Sequence, residues 1–355
     1  MGINIGITGL HAADNPAPGI GVIRSLRHPD GWDGKIVGLG YDVMDTGIYD
    51  DGLLDDVYLI PYPNQGFDAI FERLAYIHSQ VRLDVIIPTL DSELALYQSL
   101  EPRLKEIGIS LFLPSPESTK NVSKAYIDEF CQEIGIPSPK TFVVKTPSQL
   151  DEGFKEIGFP LMVKGIFYEA YHCENKLDAL SYFDKIKLKW GLPIILQKVI
   201  KAEEFDICCV GSRDGDLLGS VPIRKTRLTD KGKAWAAITI KNPELDKLSK
   251  KIIKGLKWAG PCELEILQEK KTNKYYLLEV NPRFPAWIYL CTGAEQNLPK
   301  LVVDLALGKD VKPMPCAKSG MTFVRHATDL VCPIEHIEHL TTLGELHYTK
   351  SGKEE

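Results

Sequence analysis

Long apolar runs are missing from this chain of 355 residues. No stretch approaches the roughly 20 residues that a membrane-crossing helix needs, so no spanning segment is expected. A basic excess is missing too. Lys and Arg number 42 against 48 Asp and Glu, a formal net charge of −6, so no cationic surface argues for nucleic acid. The eight cysteines lack paired metal-type spacing, and Cys208 and Cys209 fall within an apolar, strand-like run. Reduced, mostly buried thiols are the expectation, and with them a cytoplasmic setting. The start, MGINIGITGL, has no positively charged flank and reads as a first strand, which argues against both a signal peptide and lipidation. No internal repeat occurs, nor a low-complexity tract beyond the short polar C-terminus, which excludes a repeat array.

What is present is an ordinary globular balance, 44% hydrophobic and 25% charged, with enough chain for two or three domains. Up to Pro116, short apolar runs (INIGIT, GKIVGLG, DVIIPTL, ISLFLP) alternate with helical stretches such as GIGVIRSLR and FDAIFERLAYIHSQ. That alternation predicts an open parallel sheet flanked by helices. Ligands of such sheets meet the loops at the carboxyl ends of the strands, here TGLHAADNPAPGIG and PTLDSE. Pro114 and Pro116 then mark a boundary, and a helix is predicted from about Ser118 to Ile134, ending at Gly135 with Pro137 beyond. Strand-like PLMVKGI, LPIILQKVI, EEFDICCVGS and DLLGSVPIRK follow. The helical PELDKLSKKIIKGLKWAG then precedes PCELEILQE and KYYLLEVNPR. From about Asp310 the pattern weakens.

The last of these strands ends oddly. Side chains alternate along a strand, so Glu279, Asn281 and, if the strand persists, Arg283 share one face. In CELEIL the same alternation pairs Glu263 with Glu265, and the short QEKKTNK interval suggests a hairpin that sets Glu265 beside Glu279. Two carboxylates and an amide form an all-oxygen set of the kind Mg²⁺ takes when it bridges to phosphates. The competing reading is a solvated face whose acids pair with Lys270, Lys271 and Lys274. Upstream, Lys164 sits in an otherwise apolar strand, where its charge needs a partner and a phosphate would serve. Lys124, before GIPSP, reads alone as a solvated lysine. Gln197 and the backbone near Val199 and Ile200 could read an adenine edge, and Glu204 could accept from ribose hydroxyls.

The order of these residues resembles the ATP-grasp superfamily, in particular its carbamoyl-phosphate-synthase-like and biotin-carboxylase-like members, over nearly the whole chain. The resemblance implies a mixed α/β and α+β chain: an ATP-grasp fold with an N-terminal open parallel, Rossmann-like domain. It divides the chain into that domain (1–116), a small lobe acting as a lid (117–190), a large lobe (191–310) and a C-terminal extension packing on the large lobe (311–355). It assigns ATP to Lys124 before GIPSPKTF, Lys164, the hinge Gln197, Lys198, Val199 and Ile200, and Glu204. It assigns Mg²⁺, with Mn²⁺ as a substitute, to Glu265, Glu279 and Asn281. It places Arg283 of EVNPR at the transferred or acyl phosphate, and Arg224 or Lys225 at the triphosphate.

Three departures stand out. Ser123 replaces the frequent Asp before the first lysine, KAEE lacks the glycine before the ribose acid, and GIFYEAYHCEN replaces a glycine-rich phosphate loop. Its Tyr168, Tyr171 and His172 must approach phosphate through side chains or help hold an acceptor. Arg227 and Lys231 read as solvated; Lys233 belongs to the same basic run. His336 and His339 read as one face of an amphipathic helix rather than a ligand pair, and His11 as a loop histidine. Phe284, Trp287 and Tyr289 fit either an aromatic wall at the acceptor or core packing. The implied reaction is ATP-dependent carboxylate–amine ligation through an acyl phosphate, on amino-acid-like or peptide substrates, releasing ADP. Bicarbonate activation and nucleotide sensing without turnover are the alternatives. Small-molecule or peptide carboxylates and amines, and a second copy of the chain in a homodimer, are the expected partners.

Overall fold

A computed structural model describes residues 2–13, 16–29, 31–166, 169–228 and 234–348. In chain order the strands begin with β1 (Ile5–Ile7), β2 (Ile36–Gly40), β3 (Asp56–Leu59) and β4 (Val85–Ile87). Next come β5 (Thr141–Val144), β6 (Leu161–Gly165), β7 (Ala170–Cys173) and β8 (Ile194–Lys198). Then follow β9 (Ala202–Gly211), β10 (Leu217–Leu228), β11 (Ala234–Thr239), β12 (Gly260–Glu269) and β13 (Tyr275–Asn281). The series closes with β14 (Thr322–Val324) and β15 (Glu345–His347). Three sheets result, ordered β15-β3-β2-β1-β4, β13-β12-β9-β10-β11-β14 and β5-β8-β6-β7. The chain forms two compact units. One holds residues 1–116, 207–263 and 281–355, and the other 117–206 and 264–280. The divisions fall inside β9, β12 and β13.

In the first unit, β1 to β4 run parallel, as the alternation predicts. Their apolar runs are buried on both sides, and helices cover them through one apolar stripe each. The helix Phe67–Val81 buries Ile70, Leu74, Ile77 and Val81, and Gly19–Arg27 buries Ile20, Val22, Ile23 and Leu26. Because β4 lies on the far side of β1 from β2, the strand order reverses there, the place where open sheets of this kind take ligands. Thr8 and Thr89, just past β1 and β4, join across that point: Thr89 N–H donates to Thr8 Oγ1 at 3.0 Å, and Thr89 Oγ1 to Thr8 O at 2.9 Å. Glu93 fastens the loop after β4, accepting from Thr89 N (2.6 Å) and Leu90 N (2.8 Å) and from the hydroxyls of Thr8 and Tyr41. Burial raises the Glu93 carboxyl above its usual range, against the pull of those donors.

Two sequence expectations change. The predicted helix from Ser118 to Ile134 is two helices, Pro116–Asn121 and Ile127–Glu133, with Lys124 in the turn between them. Bonds from Ser123 N to Lys120 O and from Tyr126 N to Ser123 O close that turn with tighter i to i+3 spacing. The C-terminal residues do not pack on the large-lobe sheet alone. β14 edges that sheet, but β15 pairs antiparallel with β3, His347 opposite Asp56, and Leu346 enters the core of the first unit.

In the second unit, the core of the four-stranded sheet is Val144, Leu161, Val163, Ile194 and Leu196 with Phe154 and Phe183 from its helices. Six of the eight cysteines are buried and none is in a disulfide. Burial pushes the Cys208 and Cys262 thiols well up, which leaves them unreactive.

Candidate active site

In the second unit, the alternation of β6 buries Leu161, Val163 and Gly165 on one face and turns Lys164 to the other. There Lys164 Nζ donates to Gln197 Oε1 at 2.7 Å, and Gln197 Nε2 donates to Thr141 Oγ1 at 3.2 Å. A buried amide oxygen thus accepts one of the ammonium's hydrogens. Burial pulls the Lys164 ammonium below its ordinary value. Glu279, Glu265 and Glu204 oppose that pull, and Lys124 adds to it. Five sequence-predicted residues, Gln197, Glu279, Glu265, Glu204 and Lys124, therefore converge on Lys164 in this unit. Lys124 Nζ also lies 3.4 Å from Glu279 Oε1. Glu204 is exposed on β9, and Lys198, Val199 and Ile200 carry the chain from β8 into it. Lys198 N–H donates to Lys140 O at 2.9 Å.

Asn281, Arg283, Arg224 and Lys225 belong to the first unit. Asn281 Nδ2 donates to Glu263 Oε2 at 3.0 Å, and Arg283 Nη1 donates to the same oxygen at 2.9 Å. Arg283 Nε lies 3.4 Å from Asp91 Oδ2, in the loop beyond β4. Arg224 and Lys225 are neighbours on β10, so they point to opposite faces of its sheet. Glu263 and Asp91 carry no role in the sequence reading. The period-two pattern of CELEIL and the PTLDSE loop were the available signals for them.

A magnesium ion with its nucleotide fits the donor set. Glu265 and Glu279 act on the same half-buried lysine, and Lys124 faces Glu279, so this carboxylate pair attracts cations. Among the described residues no group of three or more His, Cys, Asp or Glu could hold a metal by itself. Magnesium that takes most of its ligands from phosphates and water needs no such group.

Other predicted features have different occupations. Phe284 and Trp287 are core residues, which decides for packing over an acceptor wall, and Trp287 Nε1 also donates to Glu263 Oε1 at 2.8 Å. Tyr289 is exposed, its hydroxyl 3.3 Å from His28 Nδ1. Tyr171 stacks on Tyr182 with centroids 4.2 Å apart beneath Lys185, so this side chain is held by its own unit. His172 is exposed beside Glu174, His11 is exposed, and Arg227 is exposed. His336 lies edge-on to Tyr348. Tyr168, Lys231 and Lys233 lie outside the described residues. No helix among the described residues is long and apolar enough to cross a membrane.

A parallel Rossmann-like sheet, a small antiparallel sheet carrying Lys164, and a larger sheet ending in the Glu265 and Glu279 hairpin define the class: the chain has the fold of the ATP-grasp ligases. Within that class, residues 192–329 match the family described as "ATP-grasp in the biosynthetic pathway with Ter operon". The chain is similar to biotin carboxylase from Campylobacter jejuni, with a TM-score of 0.69 at 15% identity over 91% of this chain and 74% of that one. L-amino acid ligase from Bacillus licheniformis gives 0.63 at 16% identity, over 86% and 74%. N5-carboxyaminoimidazole ribonucleotide synthetase from Thermus thermophilus gives 0.64 at 18%, over 88% and 81%. At such identities the likeness carries the fold. A stretch of 138 residues is 25% identical to acetyl-CoA carboxylase 1 of Oryza sativa subsp. japonica, and the chain spans 6% of that protein's length.

Proposed function

We propose that this protein is an ATP-dependent carboxylate–amine ligase that releases ADP and phosphate. The observation that carries the reading is Lys164, a half-buried lysine that donates to Gln197 and on which Lys124, Glu204, Glu265 and Glu279 all act. Such a lysine is costly to bury without an anion, and a nucleotide phosphate is the anion that this combination of acids and bases suits.

In this reading Gln197 and the backbone at Val199 and Ile200 receive the adenine, with Lys198 beside them, and Glu204 receives the ribose. Lys124, Lys164 and one of Arg224 and Lys225 neutralise the phosphates. Glu265, Glu279 and Asn281 would hold Mg²⁺, which would supply charge neutralisation for the phosphates. A substrate carboxylate attacks the γ-phosphorus in line, ADP departs, and an amine displaces phosphate from the resulting acyl phosphate. Arg283 steadies that acyl phosphate. The protein contributes position and preorganised charge rather than a covalent nucleophile.

Incubation with ATP, Mg²⁺ and a panel of amino acids, peptides and bicarbonate tests the reading. Substrate-dependent ADP with a new amide is the expected result. AMP formation overturns the acyl-phosphate route, and ADP with bicarbonate alone selects bicarbonate activation instead.

A further inference from the structure

We infer that Glu263 is a positioning residue for the nucleotide–metal site: it fixes the amide of Asn281 with its oxygen turned away from the Glu263 carboxylate and restrains the guanidinium of Arg283. The inference rests on the proposed function, because it concerns how that site is held in shape.

Glu263 shares the face of Glu265 by strand alternation, yet its side chain is only 8% exposed. Its two oxygens accept three donors. Oε2 takes Asn281 Nδ2 at 3.0 Å and Arg283 Nη1 at 2.9 Å, and Oε1 takes Trp287 Nε1 at 2.8 Å. A carboxylate so engaged is held by the protein rather than offered to a cation. Trp287 belongs to the hydrophobic core, so the carboxylate is anchored to a part of the fold that does not adjust easily.

The consequence for Asn281 follows from donor and acceptor chemistry. An ionised carboxylate only accepts, so the amide must present Nδ2 to it, and Oδ1 occupies the opposite branch. Only the oxygen of a carboxamide is a ligand for a hard cation. Glu263 therefore selects the one amide orientation in which Asn281 can serve with Glu279, its neighbour two places earlier on β13. Arg283 is held from three directions, by Glu263, by Asp91 at 3.4 Å and by the Phe284 carbonyl at 3.3 Å, which limits the swing of its guanidinium.

Glu263→Gln tests this with little change of volume. The variant can offer an oxygen to Trp287 only by turning its NH₂ toward Asn281 and Arg283, which invites the Asn281 amide to flip. The partner variant E263Q/N281D reverses the pair: the glutamine amide donates to the new carboxylate, which keeps an oxygen on the opposite branch. Binding of Mn²⁺·ADP, read by electron paramagnetic resonance without acceptor or turnover, is compared with binding of metal-free ADP by calorimetry. E263Q is expected to weaken Mn²⁺·ADP about tenfold or more while metal-free ADP binds as before, the size of effect usual for a group that orients a ligand. E263Q/N281D is expected to recover most of that loss, which a purely structural role for the glutamate does not predict. In turnover, E263Q should raise KM for the magnesium nucleotide as well as lower kcat.

Mn²⁺·ADP affinity equal to wild type in a folded E263Q overturns the inference, as does a folded double variant no better than E263Q. If circular dichroism shows E263Q unfolded, E263D takes its place; it keeps the charge but withdraws it by one methylene. Weakened Mn²⁺·ADP binding is then expected, and unchanged binding overturns the inference. Failure of the functional reading would show differently, as wild-type protein that binds no Mn²⁺·ADP.

Discussion

Lys124 Nζ lies 3.4 Å from Glu279 Oε1, so a lysine and a proposed metal ligand face each other directly. Loading must replace that contact with two others, lysine to phosphate and carboxylate to cation. Lys124→Met should therefore raise the affinity for nucleotide-free Mn²⁺ severalfold and weaken ATP binding. The side chains are 23% and 26% exposed, so the pair contributes less than about 1 kcal/mol to stability. Metal titration and thermal melts measure both effects. Unchanged Mn²⁺ affinity would show that the contact does not compete with the metal.

Glu279→Gln keeps the shape and removes a charge that acts on both lysines. Turnover should fall by about a hundredfold or more, the scale of losing one electrostatic contact at a phosphoryl-transfer centre. The melting temperature should move little. Near-normal turnover would remove Glu279 from the metal set.

Lys164 gives the unliganded protein a pH dependence with a definite sign. Burial holds its ammonium below the ordinary 10.5 in the folded chain, and unfolding restores that value. Between the two, the unfolded chain binds the extra proton, so stability rises with pH through this window and the penalty is fully present below it. Lys164→Met should be more stable than wild type near neutral pH and lack this rise. Urea midpoints followed from neutral pH up to 10.5, compared between the two proteins, check it. Parallel curves would contradict the burial effect.

Arg283 stands between two acids of different surroundings. Asp91 is 52% exposed and Glu263 8%. Asp91→Asn should cost less than about 1 kcal/mol. Arg283→Met deprives the buried carboxylate of one charged donor and should cost about 1.5–3 kcal/mol. Denaturant unfolding ranks the two, and a larger loss for Asp91→Asn would reverse the assignment of which acid holds the arginine.

Gly19 opens its helix hard against the end of β1, with its N–H donating to Gly9 O at 3.0 Å. A Cβ there would lie 2.3 Å from Thr8 O and 2.5 Å from Gly9 O, both backbone atoms that cannot step aside. Gly19→Ala should destabilise the first unit by more than the roughly 1 kcal/mol typical of a point substitution. A wild-type melting curve would refute the close approach.

Lys164 was legible in the sequence because a lysine in an apolar strand has few explanations, and Glu279 with Asn281 because period two survives to the strand's end. Glu263 was not. Alternation assigns it the same face as Glu265, and what separates them is the chain beyond β13, where Arg283 and Trp287 return to cover one glutamate. Phe284 and Trp287 look alike in sequence whether they line a substrate or a core, since burial alone distinguishes them. The parallel sheet could be read from its alternating runs. β15 could not, because three residues between a helix and a polar tail carry too little pattern.

That last strand has a bearing on the order of folding. β3 is the outermost parallel strand on one side of its sheet, and the backbone edge it presents is covered by β15, which emerges from the ribosome nearly 300 residues later. Until then Asp56 lacks His347, which it meets at 2.6 Å, and an unpaired strand edge faces solvent and other nascent chains. The N-terminal sheet can thus start early in synthesis but is sealed late, so truncation before Glu345 should yield a protein that self-associates through β3.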